Sequence, residues 1–331
     1  MKPRAFNHTG LTVTPIGLGL AALGRPGYIN LGHAADLNKV YDVEAMERHA
    51  HAVLDAAWDY GIRYFDAARS YGRAEAFLST WLSSRAIDPI ECVVGSKWGY
   101  TYTAGWQVDA AKHEVKDHSL PVFERQIHES QTCLGKYLKI YQVHSATLDS
   151  GVLDNPDVLN AMGKLRDNGV IIGLSLSGPG QGETLLKSLG VQIDGKPLFQ
   201  SVQATWNLLS REVGPALAEA HDAGMGVIVK EAVANGRLTD RNNLPAFSPK
   251  RKLLQEVAAE AGVSIDALAI AGVLARPWVD VVLSGAAQTA HLVSNIQAQN
   301  VVWNEEIEDR LSGLTEPAEM YWQTRSGLVW N

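Results

Sequence analysis

Cysteine is nearly missing: Cys92 and Cys133 are the only two in 331 residues. A disulfide framework or a thiolate-built metal site is therefore not expected. Basic runs are missing too, and the formal net charge is −7, so nothing offers nucleic acid an electrostatic footprint. No apolar stretch is long enough to span a bilayer, and Met1-Lys2-Pro3-Arg4 leads into no apolar signal region. These absences predict a cytoplasmic chain with neither membrane nor nucleic acid as partner. Histidines supply no metal motif either. His49 and His51 fall two apart in a predicted helix, where side chains diverge, and His113 and His118 lack carboxylate partners. No metal is expected.

What is present describes a well-filled globular chain. With 46% hydrophobic and 20% charged residues there is ample apolar material for one domain spanning 1–331. A short hairpin is predicted over 5–13, around His8-Thr9-Gly10. Buried strands are predicted over 15–20, 62–67, 91–98, 138–144, 170–177, 201–206, 226–233 and 279–285. Helical spacing fills the intervals between them: 44–60, 74–84, 121–134, 155–168, 180–189, 213–223, the pair 250–261 and 265–275, and 289–298. One more helix over 305–314 precedes an irregular aromatic tail. Eight alternating βα units predict an α/β fold, a closed (β/α)8 TIM barrel with an N-terminal hairpin and a C-terminal helix plus tail. A doubly wound open sheet fits less well. Its glycine-rich turn should open directly into a helix, whereas Gly17-Leu18-Gly19 runs into a long loop.

Barrel chemistry sits at the C-terminal ends of strands. Strand two ends at Asp66, with Tyr71 in the loop just beyond it; strand three carries Lys97; strand four ends at His144. Neighbouring strands lie about 4.8 Å apart, so an acid, a phenol, an ammonium and an imidazole converge on one arc of the rim. Lys97 beside Tyr71 is expected to lower a phenol pKa that is about 10 in water, with Asp66 keeping Lys97 charged and aimed. The phenol could then give a proton to a developing alkoxide, while His144 orients the same substrate oxygen. The set contains no nucleophile. It suits proton transfer to oxygen while another group supplies or accepts hydride. Each residue alone has an ordinary structural explanation, an ion pair or a satisfied histidine; the four together point to catalysis.

Phe65-Asp66-Ala67-Ala68-Arg69-Ser70-Tyr71-Gly72, Ser96-Lys97-Trp98 and Tyr141-Gln142-Val143-His144 resemble the tetrad-bearing segments of the aldo-keto reductase superfamily. Further likeness runs through Lys164-Leu165-Arg166-Asp167-Asn168-Gly169, Ile172-Gly173-Leu174-Ser175, Gln203 with Trp206-Asn207-Leu208-Leu209, Asn235-Gly236-Arg237-Leu238 and Leu283-Ser284-Gly285-Ala286. The resemblance implies an NAD(P)-dependent oxidoreductase interconverting an aldehyde, ketone or sugar carbonyl and its alcohol. Tyr71 would be the general acid/base, Asp66 and Lys97 would tune it, and His144 would orient the carbonyl. It also implies cofactor positions. Ser175 and Gln203 match residues that hold the nicotinamide carboxamide, Trp206 an aromatic that stacks on the ring, and Asn295 a residue facing adenine. Gly285 and its neighbours would bind phosphate at a helix N-terminus. Gly19, Lys230, Gly236, Ser284, Gln288 and His291 complete the implied cofactor set.

Two departures qualify the match. Leu176 stands where many members have Asn, removing one carboxamide contact. Leu176-Ser177-Gly178-Pro179 and Val229-Lys230-Glu231-Ala232 are closer to the branch that includes sugar and pyridoxal dehydrogenases. No Lys or Arg stands around Gly285-Ala286-Ala287-Gln288 to meet a 2′-phosphate, which tilts the expectation from NADP toward NAD or dual use. Substrate walls are expected from Tyr28 and Asn30 in the first long loop, and Trp98, Tyr100, Tyr102, Trp106 and His118 around the second. The tail would add Tyr321, Trp322, Arg325 and Trp330. Tyr28, Trp98, Trp106 and Trp322 are the chosen substrate contacts. The alternative on the same fold is a nicotinamide-sensing or scaffold subunit, although nothing in the chain resembles a partner-binding extension.

Overall fold

The computed structural model describes residues 1–331. Eight parallel strands close into a barrel: β1 (Ile16–Gly19), β2 (Tyr64–Asp66), β3 (Val93–Trp98), β4 (Leu138–Ala146), β5 (Ile171–Leu176), β6 (Ser201–Thr205), β7 (Gly226–Lys230) and β8 (Val281–Ser284). Each pairs with its neighbours in chain order, and β8 closes on β1. The expected (β/α)8 architecture is therefore the one observed.

The helices lie between these strands: α1 (Val43–Asp59), α2 (Ala74–Ser84), α3 (Leu120–Leu134), α4 (Pro156–Asp167), α5 (Gln181–Leu189), α6 (Gly214–Asp222), α7 (Ser248–Glu260), α8 (Ile265–Leu274) and α9 (Thr289–Ile296). Their starts follow local chemistry. The Asp42 carboxylate accepts from the Ala45 amide 2.9 Å away, and Asn155 caps Val158 ahead of Pro156 at the first helical position. No single helix is long and apolar enough to cross a membrane.

Three elements depart from expectation. The tail is not irregular: after α10 (Glu305–Ser312) it forms α11 (Ala318–Ser326). The loop after β3 folds into a hairpin, Tyr100–Tyr102 against Glu114–Lys116, and a smaller hairpin pairs Gln192–Ile193 with Lys196–Pro197. Antiparallel pairing depends on where the partner strand lies, so runs this short carry little period of their own.

Strand parity decides what enters the barrel. Along β3, Val93, Gly95 and Lys97 share one face while Val94, Ser96 and Trp98 share the other. The lower interior is an apolar plug of Phe6, Val13, Tyr64, Val93, Ile140, Ile171, Ile228, Val281 and Leu283. Gly17 and Gly95 make room for Tyr64: a Cβ would meet its ring at 2.6 Å from Gly17 and its hydroxyl at 2.8 Å from Gly95. The outward faces, with Val94, Trp98, Val143, Leu174, Val202, Trp206 and Val229, join the larger core between strands and helices.

Candidate active site

At the upper end of the same strands the interior turns polar. Asp66 and Lys97 are both essentially solvent-free and form an ion pair, and the Lys97 ammonium also donates to the Ala67 carbonyl at 3.0 Å. The second carboxylate oxygen of Asp66 accepts from Gln203 Nε2 at 2.9 Å. β1, β2 and β3 place these groups in register, Gly19 opposite Asp66 and Asp66 opposite Gly95. Tyr71 lies just beyond, with the Lys97 ammonium 5.0 Å from its ring centroid and the His144 ring edge-on at 5.4 Å. Its turn ends on Gly72, whose φ of 61° and whose approach to the Gly24 carbonyl, 2.5 Å from a hypothetical Cβ, both require glycine.

The electrostatics differ from the expectation in one respect. Tyr71 is not lowered: burial pushes the phenol up, the Asp66 carboxylate pushes it further, and only Arg25 opposes. The reason is that Lys97 spends its charge on Asp66, so little remains for the phenol. Burial likewise drives the His144 imidazole well below the ordinary histidine value, and Lys97, Lys230 and Arg25 add to the effect. Near neutral pH the site therefore holds a protonated phenol and an uncharged imidazole. Ser70 Oγ lies 3.3 Å from His144 Nδ1, and His118 Nε2 contacts the His144 carbonyl oxygen at 2.9 Å.

Above these residues opens a cavity of about 370 Å³. Gly19, Tyr28, Asp66, Tyr71, His144, Gln203 and Lys230 all line it. Its walls also hold groups with no motif to announce them. Arg25 is packed near the rings of Tyr28, Tyr71 and Trp330, 4.8 to 5.3 Å from their centroids, and donates to Glu114 at 2.9 Å. Arg325 pairs with Glu231 at 2.7 Å, and Trp330 stacks on His113 at 3.9 Å. Glu231 occupies a left-handed backbone conformation, φ 56°. Burial pulls its carboxyl upward, but Arg325, Lys230 and hydrogen bonds prevail and leave it at about 2.

A second cavity of about 210 Å³ adjoins the first and shares Asn30, Val233 and Gly285 with it. Gly236, His291 and Asn295 line it. Ser175 and Ser284 lie beneath the surface, Ser175 Oγ 3.5 Å from Gln203 Oε1 and Ser284 donating to Asn295 at 2.7 Å. Gln288 donates to the Asp36 carbonyl at 2.8 Å and lines neither cavity. The second cavity does hold a cation, from elsewhere in the chain. Arg241 lines the second cavity, contacts His291 Nε2 at 3.0 Å and is paired with Asp36. It lies fifty residues before His291, so nothing local to the α9 start signals it.

Four aromatic expectations are overturned. Trp206 does not face the cavity; it packs edge-on against Trp278 at 5.8 Å, near Arg211 and Arg276, so it stacks on no ring in the site. Trp98 packs against Phe123 and His118, Trp106 donates to the Tyr41 carbonyl at 2.6 Å, and Trp322 packs on Tyr321. None of these three lines the cavity. Parity explains two of them: Trp98 follows inward Lys97, and Trp206 lies three residues after inward Gln203. Of the chosen substrate contacts only Tyr28 lines the cavity, with Asn30, Tyr100, Arg325 and Trp330 from the wider set.

A closed parallel barrel with a buried Asp–Lys pair, a phenol and an imidazole at its upper rim defines a class of oxidoreductase. The chain matches the Aldo/keto reductase family over residues 15–315 and belongs to it. It is 26% identical over 322 residues to an uncharacterized oxidoreductase, YqkF, of Bacillus subtilis, covering 91% of this chain and 92% of that one. It is 33% identical over 154 residues, 40% of each chain, to pyridoxal 4-dehydrogenase of Microbacterium luteolum. Its fold is similar to the holo form of an aldo-keto reductase from Bacillus halodurans, with a TM-score of 0.73 and 23% identity, covering 97% of this chain and 99% of that one. The protein is thus an oxidoreductase of carbonyl and alcohol chemistry, in a family that generally uses NAD(P)H and small-molecule substrates.

Proposed function

We propose that this chain reduces a small carbonyl compound to its alcohol, with Tyr71 as the proton donor. The observation that carries the reading is the Tyr71 phenol set edge-on to the His144 imidazole, above the buried Asp66–Lys97 pair and lining the cavity; desolvation favours the protonated phenol and the uncharged imidazole. A nicotinamide dinucleotide, when bound, would supply the hydride. The residues fit such a group. The two adjoining cavities make one elongated cleft, and the buried Asn235 Oδ1 in its wall has no partner. Gln203 and Ser175 would hold the nicotinamide end. Gly285, His291 and Asn295 would hold the adenosine end. Arg241 offers a guanidinium for a 2′-phosphate, but Asp36 already matches its charge. Use of both NADP and NAD is accordingly the reading for cofactor preference.

This chain's own groups then act in order. The cavity walls exclude water and bring the carbonyl oxygen to Tyr71 and His144. With Ser70 donating to Nδ1, His144 presents Nε2–H to that oxygen and orients it. As negative charge develops on oxygen, the Tyr71 hydroxyl donates its proton. Asp66 and Lys97 hold the floor: the pair fixes Gln203 and keeps the Lys97 ammonium against the phenol ring. Because the phenol is raised, its donor form persists as pH climbs, whereas the reverse reaction, needing a phenolate, speeds up with pH.

The test is NADPH or NADH consumption with 4-nitrobenzaldehyde. Tyr71→Phe is expected to lower kcat by roughly 10²- to 10⁴-fold while leaving cofactor fluorescence titrations intact. Equal turnover by the two proteins would remove the assignment.

A further inference from the structure

Charge around the inner cavity does not balance. Four cations reach it or its floor: Lys97, Arg25, Arg325 and Lys230. Three carboxylates answer them, and all three are taken: Asp66 by Lys97, Glu114 by Arg25, and Glu231 by Arg325. Lys230 is left over. It ends β7 on the inward face, opposite Thr205 of β6, and lines the cavity together with Tyr71, His144 and Gln203. No side chain or carbonyl of the protein hydrogen-bonds or ion-pairs with its ammonium. The adjacent carboxylate is not available to it: Glu231 accepts from Arg325 through both oxygens and from the Thr205 hydroxyl at 3.2 Å.

Lys230 is partly exposed, and what exposes it is the cavity; an ammonium that faces a confined space with no hydrogen-bonded counter-charge is stabilised by an anion arriving from outside. We propose that Lys230 receives an anionic group, a carboxylate or a phosphate, carried by the carbonyl substrate. This rests on the oxidoreductase reading above and narrows its substrate class to acidic aldehydes and ketones. The resemblance counts Lys230 among the cofactor positions; its placement sets it apart from the adenosine end and beside the reacting groups. It lines the inner cavity and not the outer one, where Gly236, His291 and Asn295 lie. Its charge lowers His144, and it in turn feels Lys97 and Asp66, all at the reacting end. Burial, with Arg325 and Lys97 adding, outweighs Glu231 and Asp66 and brings the Lys230 ammonium down to about 8, consistent with an uncompensated cation. Tyr28, Tyr71 and His144, the neutral titratable groups around it, bring no carboxylate.

The experiment compares acidic and neutral congeners: 4-formylbenzoate against its methyl ester, and glyceraldehyde 3-phosphate against glyceraldehyde, which separates carboxylate from phosphate as the preferred anion. The readout is the ratio of kcat/KM for acidic over neutral substrate. In Lys230→Met that ratio should fall roughly 10- to 100-fold, the range of one charge-assisted contact, and Lys230→Arg should restore part of it. In the wild type the ratio should also decline as pH rises through about 8, where the ammonium loses its proton. An unchanged ratio in Lys230→Met overturns the proposal. So does an equal loss in NADPH affinity by fluorescence titration, which would return Lys230 to the cofactor. Calorimetric binding of 4-(hydroxymethyl)benzoate needs no turnover. Lys230-dependent binding without reduction of any aldehyde would sink the oxidoreductase reading and leave the anion site standing. Reduction with an unchanged ratio would do the reverse.

Discussion

The two ends of the barrel are built by the same eight strands and could hardly differ more. At the lower end, inward positions are filled by Val93, Ile140, Ile171, Ile228 and Val281, sealed by Phe6 from the N-terminal hairpin. Two to four residues further along four of these strands, the inward positions are Lys97, Gln142, Gly173 and Lys230. One end is held by burial of apolar area, which is non-directional and tolerant. The other is held by ion pairs and hydrogen bonds that fail if one partner is missing. Stability and chemistry are separated along the barrel axis by a few ångströms of strand.

Breaking the upper end should cost most. Lys97→Met leaves the Asp66 carboxylate buried without its counter-charge, and about 3–5 kcal/mol of stability should be lost in urea unfolding along with activity. Adding Asp66→Asn to that variant should return much of the stability but none of the turnover; additive losses would mean the two groups are not coupled. Ile140→Ala at the lower end should cost about 2–5 kcal/mol through the cavity it leaves, with kcat per folded molecule close to wild type. A matching fall in kcat would show that the plug and the site are not independent.

Acid should sharpen the contrast further. Burial, acting first, lowers His33 and His118 to about 4, and lowers His144 well below its ordinary value. Below about 6.5 the unfolded chain takes up protons that the folded chain refuses, so stability falls as pH falls, by about 1.4 kcal/mol per pH unit for each such histidine. Chemical denaturation between pH 7 and 5 measures the slope, and His118→Asn should make it shallower by about one proton. The smallest effect is reserved for Trp206, outside the barrel. Trp206→Phe should leave NADPH affinity within about twofold, whereas Gln203→Ala should weaken it by about tenfold, the worth of one or two hydrogen bonds. Similar losses in both would restore Trp206 to the site.

Much of this was readable before any coordinates. The eight strands stand within a few residues of their predicted positions because a strand buried on both faces needs an apolar run and a helix needs a 3.6-residue stripe, and both patterns are local. The convergence of Asp66, Tyr71, Lys97 and His144 is legible for the same reason: strand ends can be read, and consecutive parallel strands are neighbours. Parity is legible too: a one-residue step from inward Lys97 and a three-residue step from inward Gln203 turn Trp98 and Trp206 outward. The tail helix α11 was hidden by its mixed composition, since its only fully buried aromatic pair, Tyr321 and Trp322, is one turn's worth of signal.

The amino-acid sequence by itself determined the barrel, the order of its strands and the four groups at its rim. Tertiary structure alone decided the charge states. Tyr71 is a phenol held up rather than a phenol pulled down, because burial desolvates it and the Asp66 carboxylate adds to the effect. Arg241 meets His291 across fifty residues, and Lys230 stands unpaired because Arg325, from the far end of the chain, claims Glu231. Periodicity is a property of neighbours in the chain. Coulomb energy and desolvation depend on distance and burial, which the order of residues does not record.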